Sequence, residues 1–149
     1  MHAFAAAGAG FLLAVLWMDL MFDVQTRKHA GDPMPSDVLA SISAYNRRVT
    51  TGAYPMNRLI ALVMILTVVA IGAEIWEGKN PWWVGWGSLA LIVGGVALTR
   101  LRTVPNAVRL GGAADPPDRQ SALARAIYRD HLFAFARTLL LLGLQLWAR

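Results

Sequence analysis

The sequence predicts an all-α integral membrane protein, a bundle of four transmembrane helices with a short amphipathic helix at the interface in its first cytoplasmic loop. Three observations carry this. Of 149 residues, 56% are hydrophobic and only 15% charged, an apolar balance that favours a membrane protein. The apolar residues are concentrated in four segments, about 3–22, 57–76, 82–100 and 129–147, each close to the ~20 residues that span a bilayer. Basic residues gather in two of the intervening loops and five of the six tryptophans at the opposite ends, the pattern set by the positive-inside rule and the aromatic belt.

In chain order, the first span opens "AFAAAGAGFLLAVLW". No basic stretch precedes it and no small-residue cleavage site separates its hydrophobic run from Asp19, so it reads as an uncleaved span and not as a signal peptide. The loop 23–56 carries Arg27, Lys28, Arg47 and Arg48, with Arg58 just inside the second span. Within it, "SDVLASISAYNRRV" places Val38, Leu39, Ile42, Tyr45 and Val49 at helical spacing behind a "DPMPSD" breaker, with Ser36 as a cap. That pattern predicts an amphipathic helix on the inner membrane surface. The short link 77–81 holds one basic residue, Lys79, beside Glu74 and Glu77. The last loop carries Arg100, Arg102, Arg109 and Arg119, and its "TVPNAVRLGGAADPPDRQ" reads as irregular from its prolines and glycines.

The two basic loops are therefore expected in the cytoplasm of a multi-pass cell-membrane protein with both termini extracytoplasmic. Trp76, Trp82, Trp83, Trp86 and Trp147 then fall at the outer interface. No internal repeat is found and residues 1–149 form a single domain. Ala5 and Gly8 share a stripe with Asp19 and Asp23, while Gly87 with Gly94 and Ser88 with Gly95 mark a close-approach face on the third span.

The formal charge of +5 is a topological device with some affinity for anionic lipid heads. Membrane lipids are thus expected partners and nucleic acid is not, since no basic segment is interleaved with recognition elements. The absence of cysteine excludes disulfides, thiolate metal sites, iron–sulfur clusters and cysteine nucleophiles.

Polar residues inside the spans are the candidate chemistry. Asp19 and Asp23 lie about 40° apart on one helical face at the cytoplasmic end of span one. A carboxylate in hydrocarbon is costly, so Asp19 requires a partner, whereas Asp23 sits at the interface, where solvation is the simpler reading. The fourth span, "RAIYRDHLFAFARTLLLLGLQLWAR", supplies His131 at the depth of Asp19 and Arg137 nearer the middle. Asp19 with Arg137 or His131 is the expected buried pair. His131 and Arg137 are about 120° apart on the wheel, so both cannot point straight at one partner. Asn57 and Arg58, at the start of span two, either cap the helix and snorkel to phosphates or join a cytoplasm-facing cluster with Asp19, Asp23, Tyr54, Tyr128 and His131.

The stretches "AGAGFLLAVLWMDLMF", "YPMNRLIALV" and "YRDHLFAFARTLLLLGLQLWA" resemble the small four-span membrane proteins of the DUF1772, or anthrone oxygenase-like, family. The shared features are a small-residue first helix, a Pro-x-Asn motif at Pro55 and Asn57, and an Arg-Thr pair at Arg137 and Thr138. The family pattern does not assign Asp19 or Asp23. The resemblance implies a pocket for a flat, lipophilic small molecule and a monooxygenase-like reaction with no cofactor, the oxidation of an anthrone-like substrate. In that reading His131 or Asp19 is the base that removes an acidic proton, and Arg137 or Asn57 stabilises the resulting anion; Arg58, Asp23, Tyr54 and Tyr128 line the substrate site.

Other classes fit the residues less fully. Asp19, Asp23 and His131 suit iron or manganese but lack the Glu-x-x-His repeat of di-iron bundles, so no metal site is assigned. A b-type haem requires axial histidines at membrane depth, where His2 and His29 do not lie. An Asp19–Arg137 relay in a carrier has little room in four spans unless the chain forms a homo-oligomer. A non-catalytic membrane subunit or lipophile-binding protein is the plainer alternative. Arg125 and His131 have the spacing of PAP2-type lipid phosphatases, but the companion Lys-Arg-Pro and Ser-Gly-His motifs are missing.

Overall fold

The computed structural model describes residues 2–29, 33–52, 54–78 and 80–148, the side chain of Tyr54 excepted; Asp32 and Lys79, used above, lie outside the described residues. Among the described residues every regular element is helical. In chain order these are α1 (His2–Asp23), α2 (Gln25–Lys28), α3 (Ser36–Arg47), α4 (Tyr54–Glu77), α5 (Trp82–Leu98), α6 (Val104–Gly112) and α7 (Pro117–Trp147). Two wide π turns, Arg48–Gly52 and Thr99–Thr103, follow α3 and α5. α2 continues α1 past Val24, whose backbone is itself near-helical.

Local chemistry sets the boundaries. Pro55 falls in the first turn of α4, where its missing N–H costs no intrahelical bond. α4 ends at Gly78, at φ +63°, a left-handed conformation that glycine adopts without steric penalty. Pro81 then precedes α5 in an extended conformation.

Three helical runs, His2–Lys28, Pro55–Glu77 and Trp82–Gly112, are long and apolar enough to cross a membrane. The fourth expected span lies within α7, whose 31 residues include Arg129, Asp130, His131, Arg137 and Gln145 and are less apolar on average than the other three. α7 is nonetheless the fourth wall of the bundle. α1 packs on α4 and α7, and α5 packs on the same two helices, closing a ring.

The ring encloses Ala5, Ala9, Leu12, Ala70, Ile71, Ile92 and Leu141. Small residues set its tightness, since a β-carbon on Gly8 would overlap the Thr67 hydroxyl and one on Gly85 would sit 2.7 Å from Ile75 Cγ1. Dispersion contacts at such crossings hold helices together where lipid is as apolar as leucine. The outward faces are apolar and uncovered: Leu62, Ile65, Leu66 and Val69 of α4 and Leu139 and Leu140 of α7 are all more than half exposed.

A second layer sits at the end of the ring opposite the α4–α5 turn, and it departs from expectation twice. The helix expected on the membrane surface is present as α3, but its apolar face is covered by protein. Leu39 and Ile42 are buried with Met34 from the segment before α3, Ala107 and Leu110 of α6, and Ala124 and Ile127 of the first half of α7. The last loop, expected to be irregular, is helical over 99–112. Pro105 does not break it because the ring would crowd the carbonyl of Leu101, four residues earlier, and that carbonyl lies in the π turn Thr99–Thr103, where the helix is already widened. Within this layer α3 and α6 meet at Gly111, where a β-carbon would be 2.8 Å from the Arg47 backbone nitrogen, and Arg47 Nε donates to Gly111 O at 2.9 Å.

Candidate functional site

α1 and α7 run side by side, and their shared seam carries the site. One turn of α1 separates Asp19 from Asp23, so both carboxylates leave the helix on the side that faces α7 and α3. Asp23, expected at a solvated interface, is 1% exposed and 2.5 Å from His131 Nδ1 through Oδ2. The correction has a simple cause: α3 and the first half of α7 cover the end of α1 that the sequence leaves facing water. Thr26 Oγ1 donates to Asp23 O at 2.8 Å and closes the turn beneath it.

Asp19 takes a partner that the sequence argument did not name. Tyr45, on α3, donates its phenol to Asp19 Oδ1 at 2.6 Å, and its ring stacks on Phe22 with centroids 4.0 Å apart. Burial, first, and the carboxylate of Asp19, second, hold the Tyr45 hydroxyl protonated well above the ordinary tyrosine range. Tyr45 was legible only as one position of an amphipathic face. Next to His131, Asp130 is buried and its Oδ2 lies 3.2 Å from Arg102 Nε, close enough for ion pairing but without hydrogen-bond alignment.

The expected Asp19–Arg137 pair is not formed. Arg137 lies against α5, where its guanidinium occupies the space left by Gly94 and Gly95, and its charge sits 5.4 Å from the Phe133 ring centroid. Its Nε is buried without a hydrogen-bond partner. Helix geometry explains the split: about 120° of rotation sends His131 to α1 and Arg137 to α5. Asn57 spends its amide on Thr50 O at 3.2 Å, and Arg58 is exposed in the first turn of α4. Tyr128 is half-buried in a groove with Thr26 and three arginines, and the Tyr54 side chain is outside the described residues. Asp19, Asp23 and His131 are thus brought together, with Tyr45 added.

A second polar cluster, which the sequence argument missed, lies at the opposite end of the ring. Glu74 and Gln145 are buried between helices, with Ser88 beside them. In the amide orientation that satisfies both neighbours, Gln145 donates to Glu74 at 3.1–3.2 Å and accepts from Ser88 Oγ at 3.0 Å. His2 Nδ1 lies 3.4 Å from Glu74 Oε1. Every helix of the ring contributes one residue. Glu74 falls inside the predicted second span, and the rule that intramembrane carboxylates need partners would have flagged it.

An imidazole whose Nδ1 bonds a buried carboxylate has its tautomer fixed, which leaves Nε2 as the basic nitrogen. The pair can therefore accept a proton and stabilise the imidazolium that forms. Among the described residues no three His, Asp or Glu side chains are gathered closely enough to hold a metal ion. No protein family, curated protein or solved structure matches the chain.

Proposed function

We propose that the chain is a four-span protein of the cell membrane, with its termini outside, and that the Asp23–His131 pair is a general base for a lipophilic substrate reached from the cytoplasmic side. The observation that carries this is the 2.5 Å contact between a fully buried aspartate and a histidine side chain that retains 14% exposure. His131 takes a proton from an acidic C–H or phenolic O–H, and Asp23 supports the resulting imidazolium. The resemblance to anthrone oxygenase-like proteins suggests the next step, in which the carbanion combines with dioxygen and the adduct loses water to give a quinone. Arg137 faces α5 and Asn57 bonds Thr50 O, so neither is retained as an anion donor, and the base is the one role kept. Turnover of an anthrone by the purified full chain under oxygen tests it: His131→Ala should lower kcat at least about 100-fold and Asp23→Asn should also lower it, because general acid–base catalysis is worth about 10²–10⁴. Wild-type turnover in folded His131→Ala excludes the mechanism.

One observation favours a second, non-catalytic reading. Tyr45 bonds Asp19 and His131 bonds Asp23, two separate pairs that fasten α3 and α7 to α1, which is also what a structural tie between the ring and its second layer requires. In that case removing either member of the Asp23–His131 pair destabilises the fold, and Asp23→Asn with His131→Leu recovers part of the loss.

A further inference from the structure

We infer that the groove between α2 and the first half of α7 is a binding site for the headgroup of an anionic phospholipid, with its acyl chains lying along the outer face of α7. The groove, about 490 Å³ and open to the surface, is lined by Arg27, Arg125, Arg129 and Tyr128. Its volume falls within the ~300–1,000 Å³ of ligand clefts. Three guanidiniums line it, each a planar fork suited to phosphate oxygens, and Tyr128 adds a hydroxyl.

The surface above the groove argues for a lipid over a soluble phosphate. Residues 125, 129, 132, 133, 136 and 140 recur at helical spacing on one side of α7. Going up that stripe, the arginines give way to Leu132, Phe133 and Leu140, which are 43%, 59% and 55% exposed. Cationic below and apolar above, the stripe has the two-part chemistry of an amphiphile. A basic pocket between helices at the cytoplasmic interface is where such headgroups are recognised. Arg100, exposed on the π turn after α5, does not line the groove. The inference rests on α7 crossing the membrane; a single cysteine at Ala114 and another at Ala148 report that independently, on opposite sides.

The test uses the full chain in uncharged detergent, titrated with phosphatidylglycerol or phosphatidylcholine and read by native mass spectrometry as the apparent Kd of the first bound lipid. Phosphatidylglycerol is expected to bind at least tenfold more tightly than phosphatidylcholine. Arg27→Ala with Arg129→Ala should weaken phosphatidylglycerol about 25-fold, at about fivefold per arginine near the headgroup plane, and abolish the preference. Arg100→Ala should change nothing, and Phe133→Ser with Leu140→Ser should weaken both lipids. Should the double alanine variant fail to fold, Arg27→Gln and Arg129→Gln made singly give the same readout at about fivefold each. Wild-type affinity in the folded arginine variants overturns the site. Displacement of phosphatidylglycerol by millimolar inorganic phosphate overturns the lipid assignment, and equal loss in Arg100→Ala reduces the effect to overall charge.

Discussion

Tyr45 joins the second layer to the four-helix ring through one hydroxyl, and its removal isolates what that bond does. Tyr45→Phe keeps the stack on Phe22 but leaves Asp19 Oδ1 without its 2.6 Å donor. Asp19 is half-buried, and an acceptor stripped of its partner costs up to about 1–3 kcal/mol, so thermal melts at neutral pH should show a loss no larger than that. The pH dependence has a definite sign. The folded-state pKa of Tyr45 is raised by burial and then by Asp19. Its contribution is therefore fully present below the unfolded value of about 10 and is lost as pH rises beyond that. Between pH 9 and 11 wild type should lose stability faster than Tyr45→Phe; parallel loss in the two proteins would show that the phenol does not titrate with folding. The nearness of Asp19, Asp23 and His131 was legible in the sequence because depth along a helix is fixed by residue count. Who pairs with whom was not. That depends on the rotation of α7 against α1 and α5, and on a third helix, α3, brought in by tertiary packing.

At the scale of elements, the same limit appears in the inner layer. The amphipathic pattern of α3 was readable, but an apolar face does not say whether lipid or protein will cover it, and the cover came from α6, in a segment whose Pro105 read as a breaker. The π turn before Pro105 has no sequence period of its own. Gly111 tests the contact of α6 with α3. A β-carbon there would lie 2.8 and 2.9 Å from backbone atoms of Arg47, whereas Gly112 has open space around it. Gly111→Ala should thus cost about 1–3 kcal/mol through overpacking, and Gly112→Ala should be neutral or stabilise by about 0.5–1 kcal/mol through helix propensity. Chemical or thermal denaturation of the two variants side by side reads the difference, and equal stabilities would mean that α3 and α6 do not approach as described.

For the whole molecule, the two ends of the ring carry different chemistry, and the proposed orientation rests on it. At one end lie the α4–α5 turn, the start of α1 and the end of α7, with Trp76, Trp82, Trp86 and Trp147 all more than half exposed and Trp83 5.3 Å from Trp147. At the other lie the inner layer and the arginines of α2, α3, α6 and the first half of α7. Lys and Arg are retained on the cytoplasmic side and aromatic rings prefer the headgroup level, so the proposed topology puts the layered, basic end in the cytoplasm. The absence of cysteine in the native sequence makes single introduced cysteines clean reporters of this arrangement. Ala3→Cys and Ala148→Cys should react with a membrane-impermeant maleimide in intact spheroplasts, while Ser41→Cys and Ala114→Cys should react only after permeabilisation. Labelling of position 148 together with position 114 before permeabilisation would mean that α7 lies along the membrane instead of crossing it. A full reversal of the four results would place the Asp23–His131 pair on the outer side, and with it the access route for any substrate.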